Sequence, residues 1–276
     1  MIQQTGYDQF LLFGDSITQY TYNVNGRGFG AQLSDQYQRR LDVLNRGFSG
    51  YTTEQAIHLL PQFLPQAKCS HALPQSKVQF LTIFFGANDA CISPSPQHVE
   101  LTEYERNLRT MIDFVHNPRS KTYSPETKII LICPPPIDGP RWEARRIEQG
   151  KEMDRNETVT QQYAERCLAV GKEYQSKNSL CEHGNQQVDV IDTWGLMMKN
   201  VQSGKFTLVD YLRDGLHLAA EGNNLIYQQI MGIIKARYPE WDPATMEMHG
   251  PLWTKLDKEH PETDLLIGDN KRKQLK

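Results

Sequence analysis

Five strand-length apolar runs alternate with segments of helical periodicity along the chain, and this rhythm restricts the fold more than any other feature. The runs are Phe10 to Phe13, Leu41 to Leu44, Val78 to Phe85, Lys128 to Cys133 and Gln187 to Ile191. Several are continuously apolar, as strands buried on both faces of a parallel sheet must be. Helices are expected between them at Gly30 to Arg40, Thr53 to Leu64, Leu101 to His116, Thr158 to Tyr174 and Ala220 to Tyr238. Ala56, Ile57, Leu60 and Leu64 fall at helical spacing and mark one buried stripe. Thr102 followed by Glu105 reads as a capping box. Strand, helix, strand repeated in this way predicts an α/β fold: a three-layer α/β/α sandwich around a five-stranded parallel sheet.

No internal repeat and no linker divides the 276 residues, so one domain is expected over 1–276, with its core at about 8–238. Asn117 to Thr127 is polar and Pro-containing, a surface excursion before a strand. Residues 239–276 form an extension interrupted by Pro243, Pro251 and Pro261 that also carries Trp241, Leu252 and Trp253. Tryptophans are out of place in an unpacked tail, so the extension is expected to pack on the core or on a second subunit, closing over the site or building a homodimer.

Charge and composition exclude several function classes. A formal net charge of −3 gives no reason to expect nucleic acid or an anionic membrane as partner. Lys271-Arg272-Lys273 is too short a basic run to read as more than a solvated terminus. No apolar stretch reaches the roughly 18 residues of a membrane span, and no secretory signal is visible. The five cysteines, Cys69, Cys91, Cys133, Cys167 and Cys181, contain no Cys-x-x-Cys pair. Reduced thiols in a cytoplasmic protein are expected, not a metal cluster. The glycosylation acceptor pattern Asn156-Glu157-Thr158 therefore carries no weight. His58, His71, His98, His116, His183, His249 and His260 show no metal-ligand spacing. Gly26-Arg27-Gly28-Phe29-Gly30 lacks the spacing and the preceding strand of a dinucleotide loop.

The segments that carry chemistry follow expected strands or precede a helix, so they converge on the carboxyl edge of the sheet, where ligands bind in such folds. Gly14-Asp15-Ser16-Ile17-Thr18 puts a serine on the turn leaving the first strand. Its hydroxyl needs a base to become a nucleophile, and taken alone it reads equally as a helix cap. Asp214-Gly215-Leu216-His217 puts a carboxylate three residues before an imidazole. That pair can fix the tautomer that leaves Nε2 free as a base, or simply cap the helix beginning near Ala219. Asn88, in Gly86-Ala87-Asn88-Asp89, offers a side-chain amide, and Gly50 offers an unshielded backbone N–H. Both suit an oxyanion hole, and both also read as turn formers. Asp89 is read as fixing its loop and Cys91 as a small core residue without an activating partner. Asp15 with Asp214 suggests a glycosidase only if a sugar lies between them, and Ser16 between them fits acyl transfer better.

The four segments occur in an order that closely resembles the SGNH hydrolases, also called the GDSL esterases and lipases, over residues 8 to 238. Ser16, Gly50, Asn88 and His217 match the four residues behind that name, with Gly50 preferred to Gly47 because Gly50-Tyr51-Thr52 leads into a helix start. Asp214 matches the triad carboxylate. Phe10 to Thr18, Asn45 to Thr52, Phe85 to Cys91, Pro134-Pro135-Pro136 and Asp214 to Leu218 further resemble the isoamyl acetate-hydrolysing esterase subgroup. The resemblance implies a flavodoxin-like fold. It implies Ser16, Asp214 and His217 as catalytic residues, with Ser16, Gly50 and Asn88 as the oxyanion hole. It implies hydrolysis of acetate esters of small alcohols, with a small ester as the binding partner and neither metal nor organic cofactor. The same triad would equally serve an acyltransferase or a broader lipase or thioesterase. A non-catalytic binding protein would be favoured only if one of these residues were missing.

Overall fold

The computed structural model describes residues 6–66, 76–178 and 187–265. Cys69, Cys181, His71, His183 and Lys271-Arg272-Lys273 lie outside them. The strands are β1 (Gln9–Gly14), β2 (Asp42–Gly47), β3 (Val78–Phe84), β4 (Lys128–Ile132) and β5 (Val188–Ile191). They form one sheet of order β2-β1-β3-β4-β5 with every pairing parallel. This is the flavodoxin-like order, in which the direction of winding reverses between β1 and β3 and opens a crevice at their carboxyl ends.

Helices cover both faces. Along β1, Phe10 and Leu12 join one apolar cluster while Leu11 and Phe13 join the other, so consecutive side chains bury on opposite sides. The first cluster packs under α2 (Phe29–Gln36) and α9 (Ala220–Arg237). The second packs under α3 (Thr53–Phe63), α4 (Leu101–His116) and α6 (Glu157–Asn178). Shorter helices are α1 (Ser16–Gln19), α5 (Gly139–Glu148), α7 (Thr193–Gln202) and α8 (Leu208–Tyr211). The three-layer sandwich and its five strands follow the sequence pattern.

Several boundaries differ from the expected ones, each for a local reason. β2 extends through Asn45-Arg46-Gly47, because strand pairing at a sheet edge is a backbone matter and needs no apolar side chain. α2 stops at Gln36, and Arg39 then adopts a left-handed φ of 58°. The box expected at Thr102 and Glu105 does not cap α4; its N-cap is Glu100, and Glu105 instead accepts from Arg109 at 2.6 Å. Capping boxes form instead at the start of α3, between Thr52 and Gln55, and at the start of α8, between Thr207 and Asp210. α5 and α7 were not anticipated, although Asp138 and Asp192 both cap through their carboxylates and Pro140 follows the first. Asp-Gly-Pro before a charged stretch is a helix start that apolar periodicity overlooks.

The extension folds back onto the amino edge of the sheet. Trp241 meets the Phe80 ring edge-on at 6.0 Å, and Lys128 Nζ lies 4.9 Å above the indole. Arg39 donates to the carbonyls of His249, Gly250 and Pro251, and the His249 ring stacks on Tyr7 at 4.4 Å. These contacts touch the starts of β1, β3 and β4. As far as Pro251 the extension therefore docks at the amino edge and does not close over the carboxyl edge, a correction to one of the sequence expectations. Trp253 remains 81% exposed.

Candidate active site

The turn after β1 explains why Gly-Asp-Ser stands where it does. A Cβ on Gly14 would lie 2.5 Å from the Phe84 carbonyl oxygen, so only glycine lets β1 and β3 end this close together. Asp15 is the N-cap of α1, its Oδ1 accepting from Ile17 N–H at 2.8 Å. The capping role that Ser16 could have filled therefore belongs to its neighbour, and the Ser16 hydroxyl is left for another partner. Ser16 also opens α1, where its N–H has no acceptor within the helix.

That partner is His217. Its Nε2 lies 3.0 Å from Ser16 Oγ, and its Nδ1 lies 2.8 Å from Asp214 Oδ2. The other carboxylate oxygen, Oδ1, accepts from the backbone N–H of His217 at 2.8 Å and of Leu216 at 3.1 Å. Asp214 is thus tied to the turn that presents the imidazole and does not cap α9, whose N-cap is Ala219. Gly215 has φ 93°, and a Cβ there would meet Trp142 N at 2.6 Å, so the Asp-Gly-Leu-His turn needs its glycine to pass α5. Burial by itself would raise the Asp214 carboxyl. The His217 hydrogen bond and charge, with the two backbone donors, outweigh it and hold the group well below the ordinary carboxylate range. An ionised carboxylate only accepts, so Nδ1 carries the proton and the Nε2 lone pair faces the serine hydroxyl. The Tyr20 ring, 5.4 Å away, and the Trp142 ring, 6.2 Å away, stand edge-on to the imidazole. Ser16 is 5% exposed and His217 9%.

Asn88 is tied to the residue that follows Gly50. Asn88 Nδ2 donates to the Tyr51 carbonyl at 2.9 Å, and Gln97 Nε2 donates to the Gly50 carbonyl at 2.7 Å. Phe48 N–H donates to the Gly14 carbonyl at 2.8 Å, joining this loop to the nucleophile turn. Gly47 and Gly50 serve different purposes. A Cβ on Gly47 would lie 2.0 Å from Gln19 N, so Gly47 is a close-packing glycine against α1. Gly50 takes φ 82°, a left-handed conformation that favours glycine. Asp89 fixes its loop as expected, accepting from Thr53 N–H at 2.9 Å. Cys91 is buried, and burial pushes its thiol up, so it is not activated. Cys133 and Cys167 are likewise free and buried.

Sequence reasoning missed Arg155, Trp142, Tyr20 and the two guanidiniums beside Asp214. Arg145 Nε approaches the carboxylate to 3.5 Å and Arg213 Nε to 4.0 Å. Arg213 also lies over the Tyr20 ring at 4.6 Å. Nothing in a polar stretch such as Asp154-Arg155 separates a buried ion pair from a solvated one.

Buried Asp15 makes stability depend on pH. Burial dominates, the Ile17 N–H opposes it and the charge of Asp89 adds to it, so the carboxyl is pushed up to about 7. The folded state then holds a proton that the unfolded chain has released, and this contribution declines as pH rises from the ordinary carboxylate range through about 7. Asp15→Asn keeps the oxygen that caps α1 and has no charge to bury. Relative to the wild type, its unfolding free energy should therefore rise between pH 4 and 7 by a few kcal/mol, at about 1.4 kcal/mol per unit. Urea titrations across that range measure it; parallel curves would contradict it.

A parallel five-stranded sheet with a serine on its first turn and an Asp-x-x-His turn meeting it at the β1/β3 crevice is the architecture of the SGNH-type ester hydrolases. The sequence profile described as GDSL-like Lipase/Acylhydrolase matches residues 10–230. The chain is 34% identical over 262 residues to the human "Isoamyl acetate-hydrolyzing esterase 1 homolog", covering 94% of this chain and 92% of that protein. It is 30% identical to the Saccharomyces cerevisiae "Isoamyl acetate-hydrolyzing esterase", covering 90% and 94%. It is 35% identical to a GDSL esterase/lipase of Arabidopsis thaliana, covering 92% and 95%. Among solved structures, a catalytic mutant of an acetylxylan esterase from Geobacillus stearothermophilus shares the fold. The TM-score is 0.54 at 19% identity, over 84% of this chain and 96% of that one. The chain belongs to the GDSL-like lipase/acylhydrolase family and is a carboxylic ester hydrolase. No helix among the described residues is long and apolar enough to cross a membrane.

Proposed function

We propose that the protein hydrolyses short-chain, acetate-type esters of small alcohols through an acyl-enzyme on Ser16. The observation that carries this reading is the hydrogen-bonded line from Ser16 Oγ through the His217 ring to Asp214. As Ser16 Oγ attacks the ester carbonyl carbon, its proton passes to His217 Nε2. Ionised Asp214 stabilises the imidazolium through Nδ1. The Ser16 N–H, the Gly50 N–H and the Asn88 amide receive the negative charge on the carbonyl oxygen, each donor worth about 2.7–4 kcal/mol in the transition state. The C–O bond to the alcohol breaks, and His217 returns the proton to the leaving oxygen. Water then attacks the acyl-enzyme by the same route and releases the acid and free Ser16.

The relatives named for isoamyl acetate hydrolysis support the acetate preference, since they match the chain over nine-tenths of its length. We take residues 8–238 as the catalytic unit and the segment from 239 as an extension docked on it. Trapping tests the proposal: a fluorophosphonate should label Ser16 and no other serine, found by peptide mass. In the same preparation p-nitrophenyl acetate should turn over faster than p-nitrophenyl decanoate. An unlabelled Ser16 overturns the acyl-enzyme; a preference for the decanoate overturns the substrate class.

A further inference from the structure

The Asn88 amide is held at both ends. Its Oδ1 accepts from Arg155 Nη2 at 2.8 Å while its Nδ2 donates to the Tyr51 carbonyl at 2.9 Å. A guanidinium only donates, so the oxygen must face Arg155 and the amide cannot turn over. Tyr51 occupies one Nδ2 hydrogen. The other remains for an oxygen in the crevice.

Arg155 lies 67 residues further along the chain, between α5 and α6, and is 3% exposed. Burying a cation is costly unless it is paired and hydrogen-bonded. Its Nε donates to the Ala87 carbonyl at 3.0 Å and its Nη1 to Asp154 Oδ1 at 2.8 Å, and its guanidinium lies over the Trp142 ring at 5.0 Å. Asp154 in turn accepts from Trp142 Nε1 at 2.9 Å and pairs with Arg146 at 3.2 Å. One buried guanidinium thus grips both the backbone of the Gly86-Ala87-Asn88 turn and the side chain at its end. An apolar residue could fill the same space without a desolvation cost. What only a cation supplies is a positive charge beside the amide oxygen, which polarises the amide and strengthens Nδ2–H as a donor before substrate arrives.

We propose that Arg155 is a positioning residue for catalysis: it fixes the orientation of the Asn88 amide and sharpens it as an oxyanion donor. The proposal rests on the oxyanion-hole reading of Asn88 given above. If Arg155 acts through Asn88, the two residues share one effect, and a double-mutant cycle on kcat reveals it.

The experiment measures kcat and KM on p-nitrophenyl acetate for Asn88→Ala, Arg155→Met and the double variant. Asn88→Ala should lower kcat about 10²-fold. Arg155→Met should lower it between about tenfold and 10²-fold with KM changed by less than about threefold. The double variant should fall no more than about threefold below Asn88→Ala alone. Losses that multiply would show that Arg155 merely supports the fold and would overturn the inference while leaving the oxyanion hole intact. Wild-type kcat in Arg155→Met would overturn it equally. A loss in Arg155→Met with Asn88→Ala unimpaired would sink both the oxyanion reading and the inference. Should the methionine variant not fold, Arg155→Lys takes its place in the cycle. It keeps the charge but loses the fork, and the same multiplied or shared losses decide the matter.

Discussion

Ser16→Ala should lower kcat/KM on p-nitrophenyl acetate by about 10⁴- to 10⁶-fold and leave the melting temperature within about two degrees of wild type. The two halves of this expectation have separate causes. Activity collapses because the attacking atom is gone, and water must attack the ester with only the oxyanion donors and binding to help. Stability survives because the hydroxyl does no capping: Asp15 Oδ1 holds the start of α1. The substitution removes a single side-chain hydrogen bond, the one to His217 Nε2. Steady-state kinetics beside a thermal melt reads both halves. A loss of less than about tenfold would remove Ser16 from the nucleophile role.

Asp214→Asn should lower kcat by about 10⁴-fold, the magnitude known for triads in general. Asn can keep one oxygen accepting from the Leu216 and His217 backbone N–H groups. The other atom is then an NH₂, which cannot accept from Nδ1–H. The imidazole answers by moving its proton to Nε2, where it faces Ser16 as a donor, and the base is lost. The variant also loses stability with a defined pH dependence. The Asp214 carboxyl lies below its ordinary value when folded, so its contribution is present above the ordinary carboxylate range and disappears as pH falls through the folded value. The stability gap between wild type and Asp214→Asn should therefore be widest near neutrality and should narrow below about pH 4. Urea melts at neutral pH and at pH 3 would measure it. A gap that widened in acid would contradict the ionised-carboxylate picture.

The legible part of the fold was the part written in periodicity. Phe10 to Phe13 is a continuous apolar run and Val78 to Phe85 is one broken only by Gln79 and Thr82, because both faces of the sheet are covered, and β1 and β3 follow from that alone. α4 runs from Leu101 to His116 as its apolar spacing predicts. Asn45 to Gly47 in β2 and all of α5 were not legible in this way. Backbone pairing at an edge, and a helix begun by Asp138 and Pro140 with one buried tryptophan, leave no repeating apolar pattern.

The site divides along the same line. Residue order and local turn chemistry in Gly14-Asp15-Ser16, Gly50, Asn88 and Asp214-Gly215-Leu216-His217 singled out the reacting groups, because each needs a particular residue type on a particular turn. Whether Ser16 caps a helix or faces an imidazole was not a local question. Asp15 and Ser16 are both good caps, and the choice between them became visible only when a residue 201 positions away stood 3.0 Å from the hydroxyl. Arg155 and Trp142 are legible only in three dimensions. Sequence records what a side chain can donate or accept, while burial decides whether water competes for it, and burial is a property of the packed chain. The chain's own pattern thus determined a parallel α/β sandwich and a short roster of reactive groups. Tertiary packing decided which of those groups touch and which charges are removed from water around them.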